Sequence, residues 1–264
     1  MKIGFIGLGN MAGAIIGGML QKKIAVAEDI VGSAKTAATG EKMKAKYGIT
    51  IREKNEDVAK EADILILAVK PQFLAEVISE IKTAVREETL IISIAAGKSM
   101  DWIEGEFEKP IKLVRCMPNT PALVGEGCTG ICVNARVSEK EKENSLNLMK
   151  SFGKASIVPE YLMDAVGAIS GSSPAYVFMF IEAMADAGVA AGMPRIQAYE
   201  FAAQAVYGSA KLVLESGMHP AQLKDMVCSP GGTTIQGVRV LEEKGMRGAV
   251  MDALAACVDK SKKM

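Results

Sequence analysis

The chain of 264 residues carries 31 Lys plus Arg against 31 Asp plus Glu, with 49% apolar and 23% charged residues. That length suffices for a packed core without staples, and the composition excludes disordered, collagen-like and low-complexity states. A formal net charge of zero argues against nucleic-acid binding through bulk charge, and one His with five Cys in no C-x-x-C spacing leaves no His/Cys metal site.

Short apolar runs and helical patterns alternate in the first part of the chain. Strands are predicted at 2–6 (KIGFI), 29–32 (DIVG), 63–69 (DILILAV), 90–94 (LIISI) and, more weakly, 111–115 (IKLVR). Helices are predicted from about 10 to 22 and from 36 to 46. Runs apolar on both faces, separated by helices, indicate a doubly wound, mostly parallel sheet covered on both sides. Beyond about 158 strand-like runs cease, and helices are predicted at 173–192 and 195–215, with Gly192 and Gly217 as terminators and Pro194 and Pro220 as helix starts. The expected division is therefore 1–158, an α/β nucleotide-binding domain, and 159–264, an all-α domain. The helix holding Ala183, Ala185, Ala187, Gly188, Ala190 and Ala191 is apolar nearly all round. Such a helix has to be buried on every side, which a small second domain cannot do alone, so a homodimer or larger assembly through this half is expected.

The N-terminal apolar run is broken early by glycines and lacks a cleavage-type site, and the cysteine usage fits a reducing compartment. The expectation is a cytoplasmic protein. The longest apolar stretch, 165–181, contains Gly167, Gly171, Ser172, Ser173 and Pro174, so no membrane span is expected.

Gly7-Leu8-Gly9-Asn10-Met11-Ala12 fits G-x-G-x-x-A directly after the first strand and at the start of a helix. The small residues give a tight turn, a close approach for a pyrophosphate, and close helix–strand packing, while the helix start offers free N–H groups. The second strand ends without the Asp or Glu that accepts from a ribose 2′-OH. Ser33, Lys35 and Thr36 stand there instead, which favours NADP(H), with NAD(H) as the alternative. The loops Ala68-Val69-Lys70-Pro71 and Ala95-Ala96-Gly97 belong to the same carboxyl edge of the sheet.

Ser229-Pro230-Gly231-Gly232-Thr233-Thr234 is the second constellation. Ser229 reads as an N-cap, Pro230 as a first-turn residue and 235–244 as helix. A Gly-Gly-Thr-Thr run there exposes N–H donors suited to a carboxylate, or it is a plain capped helix start. His219 is expected to cap a helix. Glu182 and Asp186, four residues apart on one face, are expected to pair with cations rather than to act as acid and base. The cysteines are expected to be small core residues.

Taken together, KIGFIGLGNMA, LAVKPQ at 67–72, CMPNTPALVGEG at 116–127, SGSSPAYVF at 170–178 and SPGGTTIQGVRVLE within 223–242 resemble the pyrroline-5-carboxylate reductases, the last enzymes of proline biosynthesis. The resemblance runs nearly end to end. It implies an N-terminal Rossmann domain, an all-α C-terminal dimerisation domain, and a homodimer that in many members assembles into a decamer. The implied substrate is a cyclic imino acid, reduced by NAD(P)H. Carried over by position, it places the pyrophosphate at Ile6, Gly7, Leu8, Gly9, Asn10 and Met11. Ser33 and Lys35 fall at the 2′-phosphate, where many bacterial members have Arg in place of Lys35. Asn55 falls near the adenosine, and Ala68, Val69, Lys70 and Ala95 form the backbone wall. Ser229, Gly231, Gly232, Thr233 and Thr234 fall at the substrate loop, with the Thr234 hydroxyl on the ring nitrogen as the catalytic contact. Glu160 is a weaker match near the substrate. Members commonly read Gly-Ser-Gly-Pro-Ala-Tyr where this chain has Gly171-Ser172-Ser173-Pro174-Ala175-Tyr176.

Two other readings stand beside this one. A β-hydroxyacid dehydrogenase would place a lysine on the first long helix of the second domain, and 173–191 contains none. A non-catalytic NADPH-binding sensor would lack a complete substrate loop.

Overall fold

The computed structural model describes residues 1–263. They pack as two compact units, residues 1–171 with the C-terminal residues from 257, and residues 172–256. The first unit begins with β1 (Ile3–Ile6), α1 (Asn10–Gln21), β2 (Ile30–Ser33), α2 (Ala37–Tyr47), β3 (Thr50–Ile51) and α3 (Asn55–Glu61). It continues with β4 (Ile64–Leu67), α4 (Leu74–Ile81), β5 (Leu90–Ser93), α5 (Met100–Phe107) and β6 (Lys112–Met117). β7 (Gly127–Val133), α6 (Glu139–Met149), β8 (Gly153–Ile157) and α7 (Met163–Val166) follow, and the chain then passes into a π-helical turn, Gly167–Ser172.

The eight strands form one sheet in the order β3-β2-β1-β4-β5-β6-β7-β8. β1, β2, β4 and β5 are buried at every position, as expected of strands covered on both faces by helices. All pairings are parallel except β6 with β7. That exception follows from the connection. Only a single 3-10 turn, Thr120–Val124, joins the two strands, too short for the crossover a parallel pair needs, whereas α6 provides one between β7 and β8. Strand order reverses between β1 and β4, which opens a crevice at their carboxyl ends where ligands of open α/β sheets lie.

The first unit runs to 171 rather than 158 because the segment after β8 lies on the sheet. Met163 and Ala168 are buried, and the Val166 side chain sits directly over Gly130 of β7. The C-terminal residues return to the same place, where Ser261 Oγ donates to Asp164 Oδ1 at 2.6 Å.

The second unit is helical: α8 (Ser173–Ala190), α9 (Arg195–Ser216), α10 (Pro220–Val227), α11 (Thr233–Glu243) and α12 (Met246–Ser261), the last running out of this unit. Gly217 ends α9 in the left-handed conformation, and Pro220 opens α10, as expected from sequence. Pro194 stands one place earlier than expected, as the N-cap of α9. Among 172–256 only Ala185, Ala198, Ala202 and Leu223 are buried, while Phe178, Met179, Phe201, Leu214 and Met251 are each at least 62% exposed. One chain therefore does not cover these helices, and their cover has to come from outside it. No helix among the described residues is long and apolar enough to cross a membrane.

Candidate functional site

A cavity of about 880 Å³ opens at the carboxyl ends of β1, β2 and β4, a size suited to a small-molecule cofactor. Ile6, Gly7, Leu8 and Gly9 line one side of it. Gly7 has φ +91°, and a Cβ there would lie 2.7 Å from the Ala68 carbonyl oxygen. Only glycine lets β1 turn into α1 while its N–H stays bonded to the Ser33 carbonyl, at 3.0 Å. Gly9 caps α1 with no side-chain hydrogen bond, and a Cβ there would meet nothing within 4 Å. The first N–H groups of α1 thus face open space, uncovered by any cap and with no acid in the first turn. Free N–H groups of this kind are suited to an anion. Asn10 is exposed and Met11 half-buried; neither lines the cavity, so what they can offer is backbone N–H.

At the other end, Ser33 closes β2 and is buried. Its Oγ donates to Asn55 Oδ1 at 2.6 Å, and Asn55 Nδ2 donates to Glu80 Oε2 at 2.6 Å. Lys35 lies at the rim with its ammonium 4.5 Å from the centre of the Phe73 ring. Thr36 instead caps α2, accepting from the Thr39 N–H at 3.4 Å. Val69 and Lys70 line the cavity after β4. Ala68 and Ala95 stand behind it, Ala68 as the carbonyl against Gly7 and Ala95 as a buried residue after β5. The residues fit a dinucleotide: a side-chain-free turn, a bare helix start, and a cation with a hydroxyl where an acid would exclude a phosphate. Phe73, Glu76 and Glu80 also line the cavity and were not foreseen. The available signal was the four-residue spacing of Glu76 and Glu80 on one helix face.

In the second unit, residues 229–232 form a turn that leads into α11, whose first residues are Thr233 and Thr234. Gly231 has φ +70°, and the Gly232 N–H bonds the Ser229 carbonyl at 3.0 Å. The N-cap of α11 is Gly232, not Ser229, and Pro230 lies in the turn rather than in the helix. The reason is backbone geometry: the Gly232 N–H closes a turn on the Ser229 carbonyl and Gly231 turns the chain at φ +70°, so the helix starts only at Thr233. Ser229, Gly231, Thr233 and Thr234 are exposed and Gly232 is partly so. With no side-chain cap and no acid in the first turn, the N–H groups of this helix start are open to a carboxylate.

Glu160 belongs to the first unit. Its Oε1 accepts from Arg115 Nη1 at 2.8 Å and from the Met100 N–H at 2.7 Å, so that oxygen is engaged at the start of α5. His219 caps α10, with Nδ1 accepting from the Ala221 N–H at 3.2 Å. Asp186 pairs with Arg195. Burial raises the Cys116 thiol and pushes Cys132 up to about 11, which leaves both inert as nucleophiles. No cluster of three His, Cys, Asp or Glu among the described residues could hold a metal.

A glycine turn at the switch point of a parallel sheet, with a bare helix start beside it, defines a Rossmann-type dinucleotide-binding protein. Comparison narrows the class. Residues 2–97 match the family described as NADP oxidoreductase coenzyme F420-dependent, and residues 160–264 match pyrroline-5-carboxylate reductase dimerisation. The chain is 49% identical over 263 residues to pyrroline-5-carboxylate reductase of Escherichia coli (strain K12), covering 100% of this chain and 98% of that one. Its structure is similar to that of Plasmodium falciparum pyrroline carboxylate reductase with NADP bound, with TM-score 0.90, 35% identity, and 100% and 97% of the two chains covered. It is likewise similar to pyrroline-5-carboxylate reductase from Coxiella burnetii, with TM-score 0.92, 34% identity, and 99% and 97% covered. The chain belongs to the pyrroline-5-carboxylate reductase family.

Proposed function

We propose that this chain reduces 1-pyrroline-5-carboxylate to L-proline by hydride transfer from NAD(P)H, the last step of proline biosynthesis. The observation that carries the reading is the presence in one chain of two bare helix starts, at Gly9 and Gly232, each suited to a different anion.

The bound nicotinamide supplies the hydride. The N–H groups of Thr233 and Thr234 hold the substrate carboxylate, with Ser229, Gly231 and Gly232 shaping the turn, whose Gly232 N–H bonds the Ser229 carbonyl. The Thr234 hydroxyl meets the ring nitrogen. The imine enters protonated, so as hydride adds to C5 the C=N pair moves to nitrogen and a secondary amine results. No strong acid is needed, which suits a chain whose one His caps a helix. Ile6 to Met11 hold the pyrophosphate, Ser33, Lys35 and Asn55 the adenosine end, and Ala68, Val69, Lys70 and Ala95 the wall. Glu160 fixes the start of α5 through the Met100 N–H. Residues 1–158 serve the cofactor, and 159–264 serve substrate and assembly.

NADPH is the preferred coenzyme on this reading, because Ser33 and Lys35 replace an acid at the end of β2. The uncovered helices of the second unit support a homodimer through that unit; on the same reading the dimers assemble into a decamer and the protein works in the cytoplasm. The test is to mix the protein with pyrroline-5-carboxylate and follow loss of NADPH absorbance, with NADH in parallel. Oxidation with proline formed supports the reading. Tight NADPH binding without oxidation overturns it in favour of a sensor.

A further inference from the structure

Ser33, Asn55 and Glu80 form a relay at the adenosine end of the cavity, and its polarity is fixed by chemistry. A carboxylate only accepts, so Glu80 Oε2 has to face the Asn55 NH₂ group, at 2.6 Å. The amide oxygen then faces Ser33, whose hydroxyl donates to it at 2.6 Å. A serine hydroxyl has one proton, and here it is spent inside the protein. Ser33 presents only lone pairs to the cavity. A ribose 2′-OH can donate to those lone pairs. A 2′-phosphate cannot, and it also meets the Glu80 charge.

We propose that Glu80 is a specificity-determining residue for the coenzyme. Held by Glu80, the Asn55 amide takes the Ser33 proton and restrains the preference for a 2′-phosphate that Lys35 supplies. Sequence alone suggested a simple rule at the end of β2: no acid, therefore NADP(H). The structure brings in an acid from α4, one residue removed from Ser33, acting through an amide. Glu80 is exposed on α4, so changing it leaves the core untouched. The inference rests on Ser33 and Lys35 forming the 2′-phosphate group.

The test is calorimetric binding of NADP⁺ and NAD⁺ to the wild type and to Glu80→Gln, Glu76→Gln and Lys35→Ala, with steady-state kcat and KM for both reduced coenzymes. A glutamine at 80 either donates or accepts, so Asn55 is free to turn and Ser33 to donate outward. Glu80→Gln is expected to tighten NADP⁺ about tenfold, the scale of one hydrogen bond to a charged group, with NAD⁺ changed less than about twofold. A purely structural role would move both coenzymes together. Glu76 lines the same cavity, so Glu76→Gln reports the effect of removing a neighbouring charge. An equal gain in Glu76→Gln, or an unchanged NADP⁺/NAD⁺ ratio in Glu80→Gln, overturns the relay. Lys35→Ala is expected to weaken NADP⁺ alone. If it does so while the Glu80→Gln ratio stays fixed, only the role of Glu80 fails. If Lys35→Ala leaves NADP⁺ binding unchanged, the 2′-phosphate reading fails, and the inference with it.

Discussion

Gly7 and Gly9 lie two residues apart in one turn, yet adding a methyl group to each should have opposite consequences. At Gly7 the backbone has φ +91°, and the added Cβ would lie 2.7 Å from the Ala68 carbonyl oxygen, 2.9 Å from its carbon and 3.0 Å from Val69 Cγ1. The first two are backbone atoms held in register, since the Ala68 N–H bonds the Ile6 carbonyl at 2.8 Å. Left-handed strain costs about 1–3 kcal/mol and overpacking about 1–3 kcal/mol, so Gly7→Ala should lose about 2–6 kcal/mol of stability. That is a large share of the roughly 5–15 kcal/mol that holds a typical protein folded. At Gly9 φ is −77° and nothing lies within 4 Å of the added Cβ. Gly9→Ala should therefore change stability by no more than about 1 kcal/mol, because a less flexible unfolded chain offsets the poorer N-cap that alanine makes. Its methyl group, however, occupies the space above the bare start of α1. Losing even one N–H contact to a phosphate oxygen there costs about 1.5–3 kcal/mol, or at least about tenfold in NADPH affinity. Urea unfolding midpoints and fluorescence titration with NADPH separate the two effects. A Gly9→Ala protein that binds NADPH like the wild type would refute the assignment of this helix start to phosphate. A Gly7→Ala protein of unchanged midpoint would refute the packing argument.

Other predictions follow from single contacts. Thr234→Ala should lower kcat about tenfold or more while retaining NADPH affinity, because positioning of the ring nitrogen is lost but not the cofactor site; steady-state kinetics with binding controls decide it. Thiol-reactive dyes at neutral pH should label exposed Cys128 first and leave Cys116 and Cys132 unmodified until the protein unfolds, as mass mapping would reveal. Asp63 accepts from the Lys2 N–H and from Arg86, each at 2.8 Å, which holds its carboxyl below the usual carboxylate range. A depressed folded value stabilises above the unfolded value of about 3.9 and is lost as pH falls through the folded one. Asp63→Asn should therefore be less stable than the wild type at neutral pH, with the gap closing below about pH 4 in urea midpoints.

The strands that were legible in the sequence are those buried on both faces. β1, β2, β4 and β5 sit in the middle of the sheet, where every position has to be apolar, and a run such as ILIL admits few other readings. β3 pairs over two residues only, and β8, at the far edge, is mostly exposed and polar. Neither has the composition that burial imposes. β7 is hidden differently: Gly127 and Gly130 lie where Phe152 and Val166 approach the strand, so packing demanded residues that look like a loop. The long helices α8 and α9 were read to within a few residues, because Gly and Pro mark their ends.

The site divides along the same line. A glycine turn announces itself because the backbone at Gly7 excludes every other side chain, while Gly9 leaves the start of α1 bare, so both were readable from residue type alone. Ser229 was misplaced as the N-cap because serine suits that position in isolation; the turn that the Gly232 N–H closes on the Ser229 carbonyl, with Gly231 at φ +70°, moves the cap to Gly232. Glu80 is a surface glutamate by every local measure. Its relation to Ser33 spans three elements, β2, α3 and α4, and exists only once the switch of strand order brings the ends of β2 and β4 to one crevice. What a local pattern fixes is the presence of an anion cradle. How strongly the other end of the cavity discriminates between a hydroxyl and a phosphate depends on where the Ser33 proton points, and that is decided by a residue brought in by the fold.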